Sequence, residues 1–161
     1  MKFSVIYYSE NNHTKTMADE VLKGASKVQG IEAKAFSLDK IDEKFLNESQ
    51  VVMFGTPVHN GGMCWQMKKW FIADSEKYQL SGKLGGAFAT AGYLQGGLTV
   101  VCMEAITHML VKGMLVYSSG TTEDPYLHFG AVSTNDTESK DKVLFSTMGE
   151  RMAKEAKKIF K

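Results

Sequence analysis

A polar segment near the N-terminus has the clearest chemical potential in this chain. It consists of Ser9, Glu10, Asn11, Asn12, His13 and Thr14. A short apolar run precedes it, and an amphipathic pattern with Met17, Val21, Ala25 and Val28 on one helical face follows it. The first turn of a helix leaves backbone N–H groups unpaired, and the helix dipole adds partial positive charge there. This first loop therefore predicts an anion site that a phosphate group would fit.

The residue types of the first loop indicate which class of phosphate group it would bind. The loop lacks the glycines of G-x-x-x-x-G-K-[ST], so Lys15-Thr16 does not complete a P-loop, and it also lacks G-x-G-x-x-G. Hydroxyl and amide side chains suit a phosphate monoester that is held without magnesium. The alternative is an ordinary strand–helix turn capped by Ser9 or Asn12.

Two further loops are rich in glycine and carry little charge. The second loop is Thr56–Gly62 and the third is Ala91–Gly97. Glycine lets the backbone approach a flat ring and adopt positive φ angles. Either loop alone is explained by turn chemistry. Because we expect all three loops at one edge of a sheet, together they favour a ligand with a planar, uncharged ring.

Alternating strands and helices position these loops. The predicted strands are Lys2–Tyr8, Ile31–Ser37, Gln50–Gly55, Leu84–Thr90 and Met114–Tyr117. The predicted helices are Lys15–Gln29, Lys40–Leu46, Met63–Ala73, Leu98–Lys112 and Ser139–Phe160. The alternation predicts an α/β fold, with a five-stranded parallel sheet covered on both faces. Strand order 2-1-3-4-5 is the economical topology, and it brings the three loops to one carboxyl edge. Ser118–Thr137 is predicted to be long and irregular.

Length and composition limit the function classes. The 161 residues predict a single domain, and 43% hydrophobic with 23% charged residues is typical of soluble globular proteins. A net charge of +1 provides no strong field toward nucleic acid or an anionic membrane. We expect no signal peptide and no apolar run long enough to span a bilayer. Cys64 and Cys102 are far apart, which favours a reducing cytoplasm, and the four histidines are too scattered for a metal site.

Three motifs resemble those of the flavodoxin superfamily, and more narrowly those of WrbA-like NAD(P)H:quinone oxidoreductases and related FMN reductases. They are Tyr7-Tyr8-Ser9 with His13 and Thr16-Met17-Ala18, Gly55-Thr56-Pro57 followed by Gly62-Met63-Cys64-Trp65-Gln66-Met67, and Thr90-Ala91-Gly92. The second motif is the most specific. The resemblance covers nearly the whole chain and implies a flavodoxin-like three-layer sandwich that forms one FMN-binding domain over residues 1–161.

The resemblance also implies a site for non-covalently bound FMN. At the phosphate it implies Ser9, Asn11, Asn12, His13 and Thr14, and it also includes Glu10 among the residues that bind the cofactor. Along the ring it implies Pro57, Val58, His59, Asn60 and Gly61 on one side, and Thr90, Ala91, Gly92, Tyr93 and Gln95 on the other. Proton donors near the reduced ring are expected among His59, Tyr93, His128 and Lys112.

Two functions follow from the resemblance. The first is an oxidoreductase that passes electrons from NADH or NADPH through FMN to a quinone or a similar small acceptor. The alternative is a one-electron carrier with a stabilised FMN semiquinone, which the size of the chain and the flexible Asn60-Gly61-Gly62 favour. A homo-oligomer is also implied, with Ser118–Thr137 covering the flavin or contacting a neighbouring subunit.

Overall fold

A computed structural model of the protein describes residues 1–161. The strands are β1 (Lys2–Tyr7), β2 (Glu32–Ser37), β3 (Ser49–His59), β4 (Gly62–Met63), β5 (Leu84–Ala91), β6 (Leu115–Val116) and β7 (Ala131–Thr134). The helices are α1 (His13–Ala25), α2 (Glu43–Glu48), α3 (Trp65–Ile72), α4 (Leu98–Val111) and α5 (Glu138–Ile159). Every predicted helix and strand is present, with ends that differ by up to four residues.

The sheet follows the order β2-β1-β3-β5-β6, and all of these pairs are parallel. This order is the predicted 2-1-3-4-5 order of five strands, so the predicted α/β sandwich is confirmed. Two short strands were not predicted. One is β4, which pairs antiparallel with β3, and the other is β7, which pairs parallel with β5.

The edge strand beside β5 is split into two pieces. β6 pairs with Leu84 and Gly85, whereas β7 pairs with Phe88–Ala91 farther along β5. Residues 117–130 form an insertion between the two pieces. The prediction that Ser118–Thr137 is irregular throughout was therefore wrong for β7. Four residues are too few to show a strand pattern, and β7 is held by its pairing with β5.

Arg151 on α5 fastens this insertion to the body of the protein. Its guanidinium donates hydrogen bonds to Ser119 Oγ at 2.9 Å, to the Pro125 carbonyl at 2.9 Å and to the Asp124 carbonyl at 2.8 Å. The side chain of Arg151 is only 11% exposed. Hydrogen bonds from a charged donor are stronger than neutral ones, so this single side chain organises much of the insertion.

Helices cover both faces of the sheet. Helices α1 and α5 pack on one face, and α2, α3 and α4 pack on the other. Along β3, Val51 and Met53 face the first layer, and Val52 and Phe54 face the second. This alternation with buried residues on both faces is expected of a central parallel strand.

Helix α4 is apolar around much of its circumference. The window Leu94–Val111 is long and apolar enough to cross a membrane by length and composition alone, although only 28% of it is buried. The expectation that no apolar run reaches this length was therefore wrong. Helix α4 packs on the sheet through Val101, Cys102 and Ala105.

Candidate functional site

The first loop connects β1 to α1 and presents backbone donors. Asn12 adopts a left-handed conformation with φ 68° and precedes the first helical residue. The N–H of His13 donates to Asn11 Oδ1 at 3.2 Å, and the N–H of Lys15 donates to Ser9 Oγ at 3.3 Å. No hydrogen bond of the chain uses the N–H groups of Glu10, Asn11, Asn12 or Thr14. Four donors are thus available to an anion.

Two side chains of the first loop point into the protein. His13 is buried, and its Nε2 lies 3.2 Å from Ser133 Oγ on β7. Thr14 is also buried, and its Oγ1 lies 2.8 Å from Thr90 Oγ1 on β5. These contacts fasten the loop to the sheet. The side chains of His13 and Thr14 therefore position the backbone donors, whatever further contacts they make with a ligand.

The second loop is a β-hairpin. Strand β3 continues to His59, and Val58 and His59 pair with Met63 and Gly62 on β4. Asn60 and Gly61 have φ angles of 49° and 77°, as in the two-residue type I′ turn that an Asn-Gly pair favours. The prediction that Thr56–Gly62 is a loop was wrong except for Asn60 and Gly61, because the other residues of this segment are paired in strands.

Glu104 on α4 holds this hairpin in place. Its carboxylate accepts a hydrogen bond from the Met63 N–H at 2.9 Å and another from Lys68 Nζ at 2.7 Å. Burial opposes ionisation of Glu104, but these donors outweigh it and lower the pKa of the carboxyl group. The hairpin is therefore tied to both α3 and α4.

The third loop approaches the hairpin turn closely. Gly97 has a φ angle of 102°, and a Cβ atom at this position would lie 2.9 Å from the Gly61 carbonyl oxygen. Only glycine satisfies both the left-handed conformation and this close approach. Tyr93 in the same loop leaves 65% of its surface exposed beside the site.

The three loops enclose a cleft of ≈ 110 Å³ at the carboxyl edge of the sheet. Its lining residues are Glu10, Asn11, His13, Pro57, Val58, His59, Thr90, Ala91, Gly92 and Asn135. No lysine or arginine lines it. The one carboxylate of the lining, that of Glu10, lies 3.9 Å from His59 Nε2 and so connects the first loop to the hairpin.

Most predicted site residues come together at this cleft. Nine of its ten lining residues were predicted, Asn135 being the exception. The predicted residues that do not line the cleft, but belong to the same three loops, are Ser9, Asn12, Thr14, Asn60, Gly61, Tyr93 and Gln95. The cleft combines unpaired backbone donors from the first loop with walls from the other two that carry no lysine, arginine or carboxylate.

Two predicted proton donors lie elsewhere. His128 lines a separate, mainly apolar cavity of ≈ 140 Å³ together with Cys102 and Leu144. Lys112 directly follows the C-terminal end of α4, whereas the cleft lies beside the N-terminal end of this helix. Neither residue lines the cleft, because sequence proximity to a strand says little about where the 117–130 insertion and the C-terminal end of α4 lie.

Ser133 and Asn135 were missed by the sequence analysis. Ser133 contacts His13, and Asn135 lines the cleft directly after β7. The available signal was Ser133-Thr134-Asn135, a polar cluster after Ala131-Val132. It was overlooked because the strand before it is only four residues long.

The specific Gly62–Met67 motif is connected to the first loop by hydrogen bonds. Gln66 Nε2 donates to the Tyr8 hydroxyl at 2.8 Å, and that hydroxyl donates to Glu10 at 3.2 Å. Cys64 is completely buried, and burial raises the pKa of its thiol despite its place before a helix. Trp65 leaves 66% of its surface exposed. The motif therefore supports the loops, and Cys64 supplies packing instead of a reactive thiol.

Comparisons with known proteins agree with this architecture. The family model described as Flavodoxin matches residues 5–103. A flavodoxin of Clostridium saccharobutylicum is 39% identical over 161 residues, which cover 99% of this chain and 100% of the relative. An NAD(P)H dehydrogenase (quinone) of Syntrophus aciditrophicus is 27% identical, with 72% of this chain and 70% of the relative covered. The crystal structure of a flavodoxin, WrbA-like protein from Agrobacterium tumefaciens superposes with a TM-score of 0.82 at 24% identity, covering 98% of each chain.

Proposed function

This chain belongs to the flavodoxin family, and we propose that its cleft binds FMN non-covalently and that the protein serves as a one-electron carrier. In this proposal residues 1–161 form a single FMN-binding domain. The observation that carries it is the set of four unpaired N–H groups, those of Glu10, Asn11, Asn12 and Thr14, beside a cleft without lysine or arginine. A phosphate monoester satisfies such donors without a metal or a cationic side chain.

The walls of the cleft suit a flat, uncharged ring. Pro57 and Val58 form one wall, and Ala91 and Gly92 form another. A Cβ atom on Gly92 would have no neighbour closer than Asn135 Nδ2, at 4.0 Å, and Asn135 also lines the cleft. The absence of a side chain at Gly92 therefore keeps room for a ring. Tyr93, which follows directly, exposes an aromatic face that is available for stacking.

The charges at the cleft favour a low reduction potential. FMN supplies redox chemistry at its ring when it is bound. The Glu10 carboxylate lines the cleft, and no lysine or arginine balances it. A carboxylate beside the ring disfavours further negative charge there, although solvent screens the effect because the Glu10 side chain is 58% exposed. Reduced FMN in this cleft would therefore be oxidised readily, as expected of an electron carrier.

A second candidate is an oxidoreductase that passes electrons from NADH or NADPH to a quinone or a similar small acceptor. The similarity to the dehydrogenase of Syntrophus aciditrophicus supports it, although at lower identity and coverage than the flavodoxin similarity. The nicotinamide donor, the quinone, the cytoplasmic location and the homo-oligomer stay predictions. Multiple turnovers of a quinone with NADH or NADPH and no other protein would support this candidate.

The binding proposal is tested by titrating apoprotein with FMN and following the quenching of flavin fluorescence. We expect saturation at one FMN per chain. Gly92→Val fills the cleft and should weaken FMN binding at least tenfold, while the urea unfolding midpoint of the apoprotein stays unchanged. Gly62→Ala is the matched control, since a Cβ atom there has no neighbour closer than 3.9 Å. Equal FMN affinity of Gly92→Val and wild type would refute the proposed site.

A further inference from the structure

A larger cavity than the cleft lies at the end of α3. Its volume is ≈ 490 Å³, and it is lined by Leu38 after β2, by Trp70 of α3 and by five residues of the segment 73–78. We call it the Trp70 cavity. Small-molecule sites in proteins have volumes of about 300–1,000 Å³, so this cavity has the size of a ligand site. None of its residues lines the cleft.

Trp70 and Tyr78 each bring an unpaired polar group to this cavity. Trp70 is 2% exposed and Tyr78 is 8% exposed, yet no hydrogen bond of the chain uses the indole N–H or the phenol hydroxyl. Among side chains that are not exposed, Gln66 Oε1 is the only polar atom that is both closed off from solvent and unpaired. The Trp70 N–H and the Tyr78 hydroxyl are therefore open to solvent, and both residues line the Trp70 cavity. Buried tryptophan and tyrosine normally have partners for these groups, and a ligand can supply them here.

The two rings are held in place by their neighbours. They stack with 5.7 Å between centroids and 25° between planes. Trp70 also packs on Phe54 and Phe71, each at 5.5 Å, and Lys77 Nζ lies 5.1 Å from the centroid of the Tyr78 ring. Because protein groups cover the ring faces, a ligand would meet the ring edges, which carry partial positive charge and the two polar hydrogens. Donors that are fixed before binding suit an acceptor on a rigid, flat ligand.

The charges of the lining do not favour an ionic ligand. Asp74 pairs with Lys69 at 3.6 Å, which leaves Glu76 and Lys77 to balance each other. The cavity therefore has no excess positive charge for a phosphate or a carboxylate. A cation without a lone pair would leave the indole N–H unpaired, because this group can only donate. A neutral ligand with an acceptor avoids both penalties.

We infer that the Trp70 cavity binds a neutral, planar aromatic molecule that carries a carbonyl or ring-nitrogen acceptor. The Trp70 N–H donates to this acceptor, and the Tyr78 hydroxyl provides a second hydrogen bond. Leu38 and Ala73 provide apolar contacts for the ring. The inference does not depend on FMN, because the Trp70 cavity and the cleft share no residue.

The inference is tested with coumarin, a neutral bicyclic lactone whose only polar atoms are acceptors. The chain has two tryptophans, so ¹H–¹⁵N spectra of the protein contain two indole N–H signals, which Trp65→Phe assigns. Spectra are recorded with and without FMN. We expect coumarin to shift the Trp70 signal downfield to saturation, with a dissociation constant of about 1 mM or lower, and to leave the Trp65 signal in place.

Two variants locate the bound coumarin. Ala73 is exposed, so Ala73→Leu should fill the cavity and weaken binding at least tenfold while the urea unfolding midpoint stays unchanged. Tyr78→Phe removes one hydroxyl and should weaken binding about three- to tenfold, as expected for one hydrogen bond. Tyr126→Phe is the matched control, since it removes the same hydroxyl from a tyrosine that does not line the Trp70 cavity. This control should bind coumarin as wild type does.

Three results would overturn the inference. The first is the absence of a saturable shift of the Trp70 signal at about 5 mM coumarin, since the two polar groups would then be satisfied by water alone. The second is equal coumarin affinity of Ala73→Leu and wild type, which would place the ligand elsewhere. The third is binding of the anion coumarin-3-carboxylate as tightly as coumarin itself, which would contradict the preference for a neutral ligand.

Discussion

The hydroxyl pair of Thr14 and Thr90 provides a quantitative test of how the first loop is held. Their Oγ1 atoms are 2.8 Å apart, the two residues are 1% and 2% exposed, and neither hydroxyl has another partner. Valine keeps the branched shape of threonine without the hydroxyl. Thr14→Val and Thr90→Val should each lower the free energy of unfolding by about 1–3 kcal/mol, because each leaves one buried hydroxyl unpaired.

The double variant should lose less free energy of unfolding than the two single variants lose together. With both hydroxyls removed, no buried polar group stays unpaired, so the loss should be about 1 kcal/mol or less. The coupling energy of the cycle is then at least about 1 kcal/mol. Urea unfolding of the four apoproteins, followed by circular dichroism, measures it. Additive losses would refute the hydrogen-bonded pair.

The same four proteins decide whether the Thr14 hydroxyl binds phosphate. The proposed site uses the backbone N–H of Thr14, so the double variant should bind FMN within about threefold of wild type, a difference below 1 kcal/mol. A direct contact from the hydroxyl to phosphate would instead weaken FMN binding in Thr14→Val and in the double variant alike, and would leave Thr90→Val nearly unchanged.

Three further outcomes follow from individual side chains. Arg151→Met should destabilise the protein by about 3 kcal/mol in urea unfolding through the loss of its hydrogen bonds to the insertion, whereas the exposed control Lys154→Met should change stability by less than about 0.5 kcal/mol. Burial raises the pKa of Cys102 to about 12 and raises that of Cys64, so Ellman's reagent at pH 8 should label neither thiol before unfolding. Burial also lowers the pKa of His108, so the unfolded state takes up this proton first. The contribution of neutral His108 to the free energy of unfolding should be complete above about pH 6.5 and be lost as the pH falls through the pKa of the folded state. The urea unfolding midpoints at pH 7.5 and pH 5.5 should therefore differ less in His108→Gln than in wild type.

The sequence predicts the sheet order well because the central strands have a strong signal. Gln50–Gly55 and Leu84–Thr90 are apolar runs that can only be buried, and helical patterns alternate with them. The resemblance to the flavodoxin superfamily and its WrbA-like members is confirmed by the family match and the relatives. Nine of the ten residues that line the cleft were predicted, because they follow the ends of these strands.

Other features depend on tertiary pairing that local sequence does not encode. Strand β7 is held by β5, so its four residues give no signal of their own. His128 was expected near the site because the residues of the insertion do not show that its path takes His128 to a separate cavity. The apolar pattern of α4 predicts a helix but not that Val100 and Val111 lie on its open side. Asn60-Gly61 does signal a type I′ hairpin, but Thr56–Gly62 was interpreted as a glycine-rich loop.

An anaerobic reductive titration of the FMN-loaded protein tests the central claim most directly. The flavin absorbance is followed during stepwise reduction by dithionite, and separately after addition of NADH and then NADPH. We predict two resolved one-electron steps with dithionite and no change with either nicotinamide. Rapid bleaching by NADH or NADPH, with a single two-electron step in the titration, would contradict a one-electron carrier and would establish a reductase.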